Sequence, residues 1–341
     1  MKSISLSRLL KKGGLLLLPV AVSLAAGAIL ILLSGKDPIQ TYLNLFDAGF
    51  TCHNTDGRCA LLTTLQFATP LIFSGLSALV ALRAGFFSIG QAGQMLFGAA
   101  AASWVGGHIV LPQPIHPAVA LLAAACFGAL WGLVPAILKE YIGVNEIIST
   151  LLLNSVAGVL VGLVHLGSLS ATARLLPLVV STKVTFGILL AIAAALGVYI
   201  YLWRTGRGLE IRNTAQSPRF ALFGGIARRT TVLRAMALSG AFAGLAGAVE
   251  VLGVQYKFVT TFSAINDFDG LIVAFAGHLH PAGVLLFSFL LGGLRAGSIV
   301  GLQIRSGIPR ELGGALIALL LIFAAMHRFY RIEKQKSGFE K

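Results

Sequence analysis

A polar, glycine-rich stretch interrupts the apolar sequence between residues 83 and 94, where the chain reads RAGFFSIGQAGQ. Ser88, Gln91 and Gln94 lie within it. An amide side chain donates and accepts hydrogen bonds, so it can pair with both kinds of polar group on a small solute. The stretch therefore predicts a binding site for a polar solute. The alternative is that its glycines only permit tight packing.

Sequence patterns typical of catalysis or nucleotide binding are absent from the chain. It contains no G-x-x-x-x-G-K-[ST], H-E-x-x-H, G-x-S-x-G or C-x-x-C. His278 and His280 are the one close histidine pair, and a spacing of two is poor for chelation by a helix. We expect them to be polar residues at a segment end rather than metal ligands. The chain is therefore predicted to be no enzyme, to carry no cofactor or metal, and to move a solute or let it pass.

The composition places this chemistry in a membrane. Of the 341 residues, 57% are apolar and 11% are charged, whereas a soluble domain carries roughly 25% charged residues. The formal net charge is +14, and the cations lie in short segments between apolar runs without interleaved aromatic residues. This distribution indicates the positive-inside bias of a membrane protein rather than binding of nucleic acid.

Apolar runs occur along the whole chain, and most are long enough for a helix to cross about 30 Å of hydrocarbon. We predict an all-α, polytopic protein of about ten transmembrane segments in a single domain, 1–341. The eighth run is too short to cross squarely, so it is expected to be re-entrant or strongly tilted. Gly and Ala within the runs predict close helix packing. The runs are 15–35, 63–82, 93–110, 118–138, 147–167, 186–203, 231–253, 269–280, 282–301 and 311–326.

The distribution of the 26 Lys and Arg residues predicts the orientation. If every run crosses, most of these cations fall on the side of the N-terminus, which places both termini in the cytoplasm. Cys52 and Cys59 then lie outside and can form a disulfide in an oxidising compartment. A metal clip with His53 and a pair of free thiols are the alternatives.

A second interruption, NDFDG at 266–270, precedes the short eighth run, which ends in GHLHP at 277–281. Broken backbone at membrane depth is tolerated only where it is buried in protein or faces a water-filled cavity. Breaks in corresponding positions of two halves indicate a translocation site, and here they fit an inverted repeat of spans 2–5 and 7–10. The predicted pathway residues are Ser88, Gln91, Gln94, Asn154, Asn266, Asp267 and Asp269.

The largest connection between runs is 204–230, which is basic and predicted to be cytoplasmic. It contains SPRFALFGGI, in which Pro218 is a favourable helix start and Gly224-Gly225 an exit. The apolar face is short, which favours a knob for the groove of a protein partner over a helix lying on lipid. For the flanking arginines, lipid anchoring and partner contact stay equal alternatives. The candidate contact residues are Arg212, Pro218, Arg219, Phe220, Phe223, Gly224 and Gly225.

Five motifs together resemble permease subunits of ABC importers of the simple-sugar and branched-chain amino acid type. In order they are RAGFFSIGQAGQMLFGA, GVNEIISTLLLNSVA, GRGLEIRNTAQSPRFALFGGI, LSGAFAGLAGAVEVLG and FDGLIVAFAGHLHPAGVL. The likeness extends from about residue 37 to the last run and is greatest to the nucleoside branch. Two places depart from the usual pattern and bear on the substrate: Ser88, where many relatives have Asn, and the HLHP turn.

The resemblance implies an ATP-driven importer in the bacterial cytoplasmic (inner) membrane, carrying nucleosides or related simple sugars. It implies a second permease subunit, cytoplasmic ATPase subunits and an extracytoplasmic solute-binding protein as partners, and a coupling helix within 204–230. An ion-coupled secondary transporter of a small polar solute is the alternative function. It requires ionisable residues near the midplane, where Glu250 and Arg295 are the plausible ones.

Overall fold

The described residues form an all-helical protein. A computed structural model describes residues 21–52, 59–164, 166–178, 183–258, 268–309, 312–315 and 318, apart from the side chains of Pro218 and Phe220. Over these residues there are helices and three isolated β-bridges but no strand. The helices are α1 (Ala21–Leu33), α2 (Pro38–Phe50), α3 (Ala60–Arg83), α4 (Gln91–His108), α5 (Ile115–Ile137), α6 (Glu146–Gly162), α7 (Gly187–Arg204), α8 (Gly206–Gln216), α9 (Pro218–Phe223), α10 (Arg228–Glu250), α11 (Asp269–Ala276) and α12 (Pro281–Gly297).

Three long helices continue into a π-helical segment, and a 3₁₀ turn lies between α6 and α7. The π segments are Leu138–Ile142 after α5, Val251–Gln255 after α10 and Ser298–Arg305 after α12, and the 3₁₀ turn is Ala171–Ala173. With these extensions, five helices of the described chain are long and apolar enough to cross a membrane. A sixth span results if α1 and α2, which are bent by 113° at their junction, are counted as one. A polytopic membrane protein is thus confirmed.

Short polar side chains determine where several helices begin. The Asp37 carboxylate accepts a hydrogen bond from the Ile39 N–H at 3.0 Å, at the start of α2. Asn145 caps α6 by accepting from the Ile147 N–H at 2.9 Å. Such side chains satisfy amide groups that have no partner within the first helical turn. Helices α2 and α6 therefore begin where the sequence provides a cap, α6 just before an apolar run.

The chain divides into two compact units. The smaller contains the described residues of 21–64 and those from 293 onward. Its core is Ile31, Leu45, Leu302 and Ile308, with α2 against the π segment after α12. An ion pair between Arg305 and Asp47, 2.5 Å between Nη1 and Oδ2, joins the same two elements.

The larger unit, residues 65–292, is built around α4, α5 and α10. Glycines let these helices approach closely. A Cβ added at Gly132 of α5 would lie 2.8 Å from the Met236 carbonyl oxygen of α10 and 3.1 Å from the Gly240 Cα. Because those atoms belong to backbone, a larger side chain at Gly132 has no space. The predicted packing by small residues is confirmed here.

The first predicted interruption and the described part of the second lie in the larger unit. Helix α3 ends at Arg83 and α4 begins at Gln91, with Gly85 at φ +75° between them. Helix α11 has eight residues, about 12 Å at 1.5 Å per residue, too short to cross a bilayer. After it, His278 and Leu279 have φ of +56° and +52°, so the chain turns through left-handed backbone before α12.

Candidate functional site

Gln91 and Gln94 lie on the first turn of α4, although the sequence placed them within the non-helical stretch. Each side chain is 1% exposed. The Gln91 amide nitrogen donates to the Ser88 carbonyl oxygen at 3.1 Å. Within the described part of the chain, the Gln91 Oε1 and both amide atoms of Gln94 are buried without a hydrogen-bond partner. Buried polar atoms are rarely left in this state, which makes this helix turn the first candidate for solute contact.

Asn154 of α6 braces the non-helical stretch. Its amide nitrogen donates to the Ile89 carbonyl oxygen at 2.9 Å, and its Oδ1 accepts from the Gly93 N–H at 2.9 Å. Thr150, one turn earlier on α6, accepts from the Ile89 N–H at 3.3 Å. The buried Ser88 hydroxyl accepts from the Gly90 N–H at 3.2 Å. Four of the seven predicted pathway residues, namely Ser88, Gln91, Gln94 and Asn154, are thus brought together.

The remaining three predicted pathway residues belong to the second interruption. Asn266 and Asp267 lie outside the described residues. Asp269 is the first residue of α11. This helix packs on α3, where Gly270 lies against the backbone and hydroxyl of Ser74. Asp269 therefore lies beside α3, the helix that leads into the first interruption.

The two interruptions contact each other, which the sequence did not predict. The Arg83 guanidinium donates two hydrogen bonds to the Leu279 carbonyl oxygen, at 2.9 Å from Nε and 2.7 Å from Nη2. The rings of Phe87 and Phe275 lie 6.2 Å apart between centroids. An arginine that ends one helix thus holds the left-handed turn that separates α11 from α12.

Trp203, near the end of α7, lies among groups from three other parts of the chain and one residue of its own helix. The guanidinium carbon of Arg83 is 5.1 Å from its ring centroid, and that of Arg212 on α8 is 5.7 Å away. The His280 ring is 5.1 Å away, and Tyr199 stacks on Trp203 at 5.7 Å. Arg212, for which partner contact and lipid anchoring were the alternatives, is therefore half-buried against its own chain.

The predicted partner-binding segment folds as two short helices, α8 and α9. Helix α9 begins at Pro218, as predicted, and Gly225 has φ +74° after it. Ala221 is buried, whereas Leu222 is 70% and Phe223 89% exposed. The tip of α9 therefore presents a small apolar surface. Arg219 and Gly224 are exposed beside it.

The start of α10 is fixed to the connection between α5 and α6. Arg228 contacts the Glu140 carboxylate at 3.4 Å, and the Arg229 guanidinium carbon lies 5.3 Å from the Tyr141 ring centroid. In the same connection Lys139 Nζ lies 2.6 Å from Glu146 Oε1. Partial burial raises the pKa of Glu146, but the hydrogen bond and charge of Lys139 outweigh it, so the pKa is lowered. Both arginines thus contact their own chain.

The structure also describes the surroundings of the cysteine pair and of Glu250. The Cα atoms of Cys52 and Cys59 are 4.2 Å apart and their sulfur atoms lie within bonding distance, an arrangement that suits the predicted disulfide. Glu250 accepts a hydrogen bond from the Gln255 amide at 3.1 Å. Within the described residues, no three His, Cys, Asp or Glu side chains are grouped so as to hold a metal ion.

Comparison with known proteins identifies the family of this chain, which the geometry alone does not. Residues 60–325 match the permease component of the branched-chain amino acid transport system. The chain belongs to this family of transport permeases. It is 34% identical to the guanosine ABC transporter permease protein NupP of Bacillus subtilis, covering 94% of this chain and 96% of that protein. No solved structure matches it significantly.

Two further relatives carry different substrate names. The chain is 28% identical to a nucleoside ABC transporter permease protein of Lactococcus lactis, covering 91% of this chain and 90% of that protein. It is 29% identical to a glucose ABC transporter permease protein of Haloferax volcanii, with 95% and 90% covered. The permease prediction and its resemblance are confirmed.

Proposed function

We propose that this permease is the membrane subunit of an ATP-driven ABC importer and forms the translocation pathway for nucleosides or related simple sugars. The main support is the likeness to the guanosine permease of Bacillus subtilis over nearly the full length of both chains. The nucleoside permease of Lactococcus lactis points to the same substrate class. Nucleosides rank first, and the glucose permease of Haloferax volcanii keeps simple sugars as the second class.

The buried amide pair of α4 supports a polar pathway. Gln91 offers an acceptor, and Gln94 offers an acceptor and a donor. A nucleoside presents ribose hydroxyls and base edges, which both donate and accept. Since the two side chains are closed off in this conformation, solute contact requires α4 to separate from its neighbours during the transport cycle. Alternating access consists of such relative movements of helices around a site.

The proposed assembly has four kinds of component. Besides this subunit it contains a second permease, two cytoplasmic ATPase subunits and an extracytoplasmic binding protein. The chain resembles both NupP and NupQ, two guanosine permease proteins of Bacillus subtilis, at 34% and 28% identity, which favours a pair of related permeases. The proposed position is the bacterial cytoplasmic (inner) membrane, with one permease domain of ten spans and both termini inside.

The ATPase contact is proposed at the apolar tip of α9. The chain lacks a nucleotide-binding loop, so an ATP-driven cycle must act on it through a protein surface. Leu222 and Phe223 are exposed there, next to the left-handed Gly225. Two large apolar side chains on a short helix suit insertion into a hydrophobic groove.

Uptake by a strain that lacks this gene tests the function. We expect loss of uptake of radiolabelled guanosine or another nucleoside, and its recovery when the gene is restored. Uptake should persist when an ionophore dissipates the ion gradients but ATP is maintained, and stop when ATP is depleted. The opposite response would identify the ion-coupled secondary transporter. Unchanged nucleoside uptake with lost glucose uptake would move the substrate to the sugar class.

A further inference from the structure

Trp203 is the one described aromatic residue that both Arg83 and Arg212 approach within cation–π distance. Arg212 belongs to α8, part of the proposed ATPase-coupling segment. Arg83 ends α3 and starts the first interruption. A guanidinium within about 6 Å of an indole centroid is attracted by the negative face of the ring. One half-buried side chain thus joins the coupling segment to the first interruption.

The same ring also reaches the second interruption. His280 lies 5.1 Å from Trp203 between centroids, directly after the left-handed turn at His278 and Leu279. Arg83, while stacked on Trp203, donates two hydrogen bonds to the Leu279 carbonyl oxygen. A displacement of Trp203 would therefore act on both breaks in the helical pattern.

A second contact supports the connection independently of the indole ring. A Cβ at Gly85, in the first interruption, would lie 3.1 Å from the Cα and 3.4 Å from the Cβ of Ala215 on α8. Helix α8 therefore packs directly on the turn that follows Arg83. Because close-packed backbone cannot be compressed, movement of α8 must be transmitted to this turn or break the contact.

We propose that Trp203 is a positioning residue that transmits movement of the coupling segment to the two helix interruptions and thereby links ATP hydrolysis to opening of the pathway. This rests on the proposed function, because it requires an ATP-driven cycle. The aromatic face is the essential property, since it holds two guanidinium groups from elements far apart in sequence. An aliphatic side chain of similar burial fills the space but has no such face.

The test compares Trp203→Leu with Trp203→Phe in the complete importer, reconstituted in vesicles with its ATPases, second permease and binding protein. The readout is the number of nucleoside molecules transported per ATP hydrolysed. Trp203→Leu should lower this ratio about tenfold or more while the ATPase still co-purifies. Trp203→Phe keeps an aromatic face and should recover a large part of the ratio. Trp104→Leu, a half-exposed tryptophan on α4, is the matched control and should leave the ratio unchanged.

A double-mutant comparison separates transmission from a merely structural role. If Trp203 acts through Arg212, then Trp203→Leu combined with Arg212→Gln should lower the ratio no more than the stronger single variant, because both remove one contact. If Trp203→Leu fails to assemble, Arg212→Gln against Arg212→Lys supplies the same measurement. A wild-type ratio in Trp203→Leu, or equal loss in the Leu and Phe variants, would overturn the inference. Absence of ATP-dependent uptake in the wild type would instead overturn the proposed function.

Discussion

Gln94 and Asn154 carry the same amide group but make different contacts, and their replacement should separate transport from stability. Gln94 is buried with both amide atoms unpaired, a state that costs on the order of 1–3 kcal/mol. Gln94→Leu should therefore leave the thermal stability of the purified protein unchanged or raise it. Nucleoside uptake should fall about tenfold or more if the amide pairs with solute. Thermal stability and nucleoside uptake are both measured for this variant. Normal uptake would show that the solute site lies away from α4.

Asn154→Leu, in contrast to Gln94→Leu, should lower the stability of the protein. This amide bonds to the Ile89 carbonyl and the Gly93 N–H, so its loss leaves two backbone groups unpaired. A destabilisation of roughly 1–3 kcal/mol follows, seen as a lower melting temperature in detergent. The neighbouring Ser155, exposed on the same helix, provides the control, because Ser155→Ala removes a hydroxyl without these bonds. Equal melting temperatures for both variants would contradict the bracing role.

Residue identity and spacing predicted that Ser88, Gln91, Gln94 and Asn154 belong to the pathway. They did not predict which contacts each side chain makes. Which amide braces backbone and which stays unpaired depends on contacts between helices some sixty residues apart. Periodicity contains no such information. Arg212 is a similar case: its charge and position left partner contact and lipid anchoring as alternatives, and neither identified Trp203, on which it packs.

At the scale of elements, the packing of α5 against α10 depends on glycine. A Cβ at Gly240 would lie 2.9 Å from the Gly128 carbonyl carbon and 3.0 Å from the Ala129 Cα. Gly240→Val should force the helices apart, at a cost of about 1–3 kcal/mol or more, and reduce the yield of folded protein on size-exclusion chromatography. Gly197→Val in α7 is the matched control, because nothing lies within 4 Å of that position. A normal yield for Gly240→Val would show that the helices can separate without loss.

The exposed tip of α9 gives the second prediction for an element. Leu222→Ala combined with Phe223→Ala removes the two large apolar side chains that are exposed in the described part of this helix. We expect the ATPase to dissociate during purification, or its hydrolysis to lose stimulation by the loaded binding protein, while the permease stays folded. Leu209→Ala on α8, where the side chain is half-exposed, should change neither. Retention of both properties in the double variant would exclude α9 as the coupling helix.

Helix starts and stops were more predictable than helix partners. Pro218 and the Gly-Gly pair of residues 224–225 delimit α9 through backbone restrictions that act locally, so the sequence was sufficient. The contact between Arg83 and Leu279 joins segments almost two hundred residues apart. Nothing in either segment by itself shows that it touches the other, which is why the two interruptions were related as corresponding positions of two halves but their contact was not predicted.

For the molecule as a whole, the composition predicted a membrane protein but did not determine the number of transmembrane spans. Sparse charge and long apolar runs require a lipid environment, and the structure and the family agree. Ten runs were predicted, whereas length and hydropathy qualify five or six spans among the described helices. Helix α4 falls outside that group because two glutamines and a histidine lower its hydropathy, and α11 because it has eight residues. Polar residues of the proposed pathway thus lower the hydropathy by which a transmembrane span is recognised.

The orientation of the chain in the membrane can be measured by labelling its three cysteines. The positive-inside distribution predicts that Cys52 and Cys59 face outward, whereas Cys126 lies in the middle of the apolar helix α5 with its side chain exposed. After reduction, a membrane-impermeant maleimide should label intact spheroplasts through Cys52 and Cys59. It should not label a Cys52→Ser/Cys59→Ser variant, because the reagent does not enter hydrocarbon to reach Cys126. Labelling of the wild type only after permeabilisation would place the Cys52–Cys59 loop in the cytoplasm and reverse the orientation.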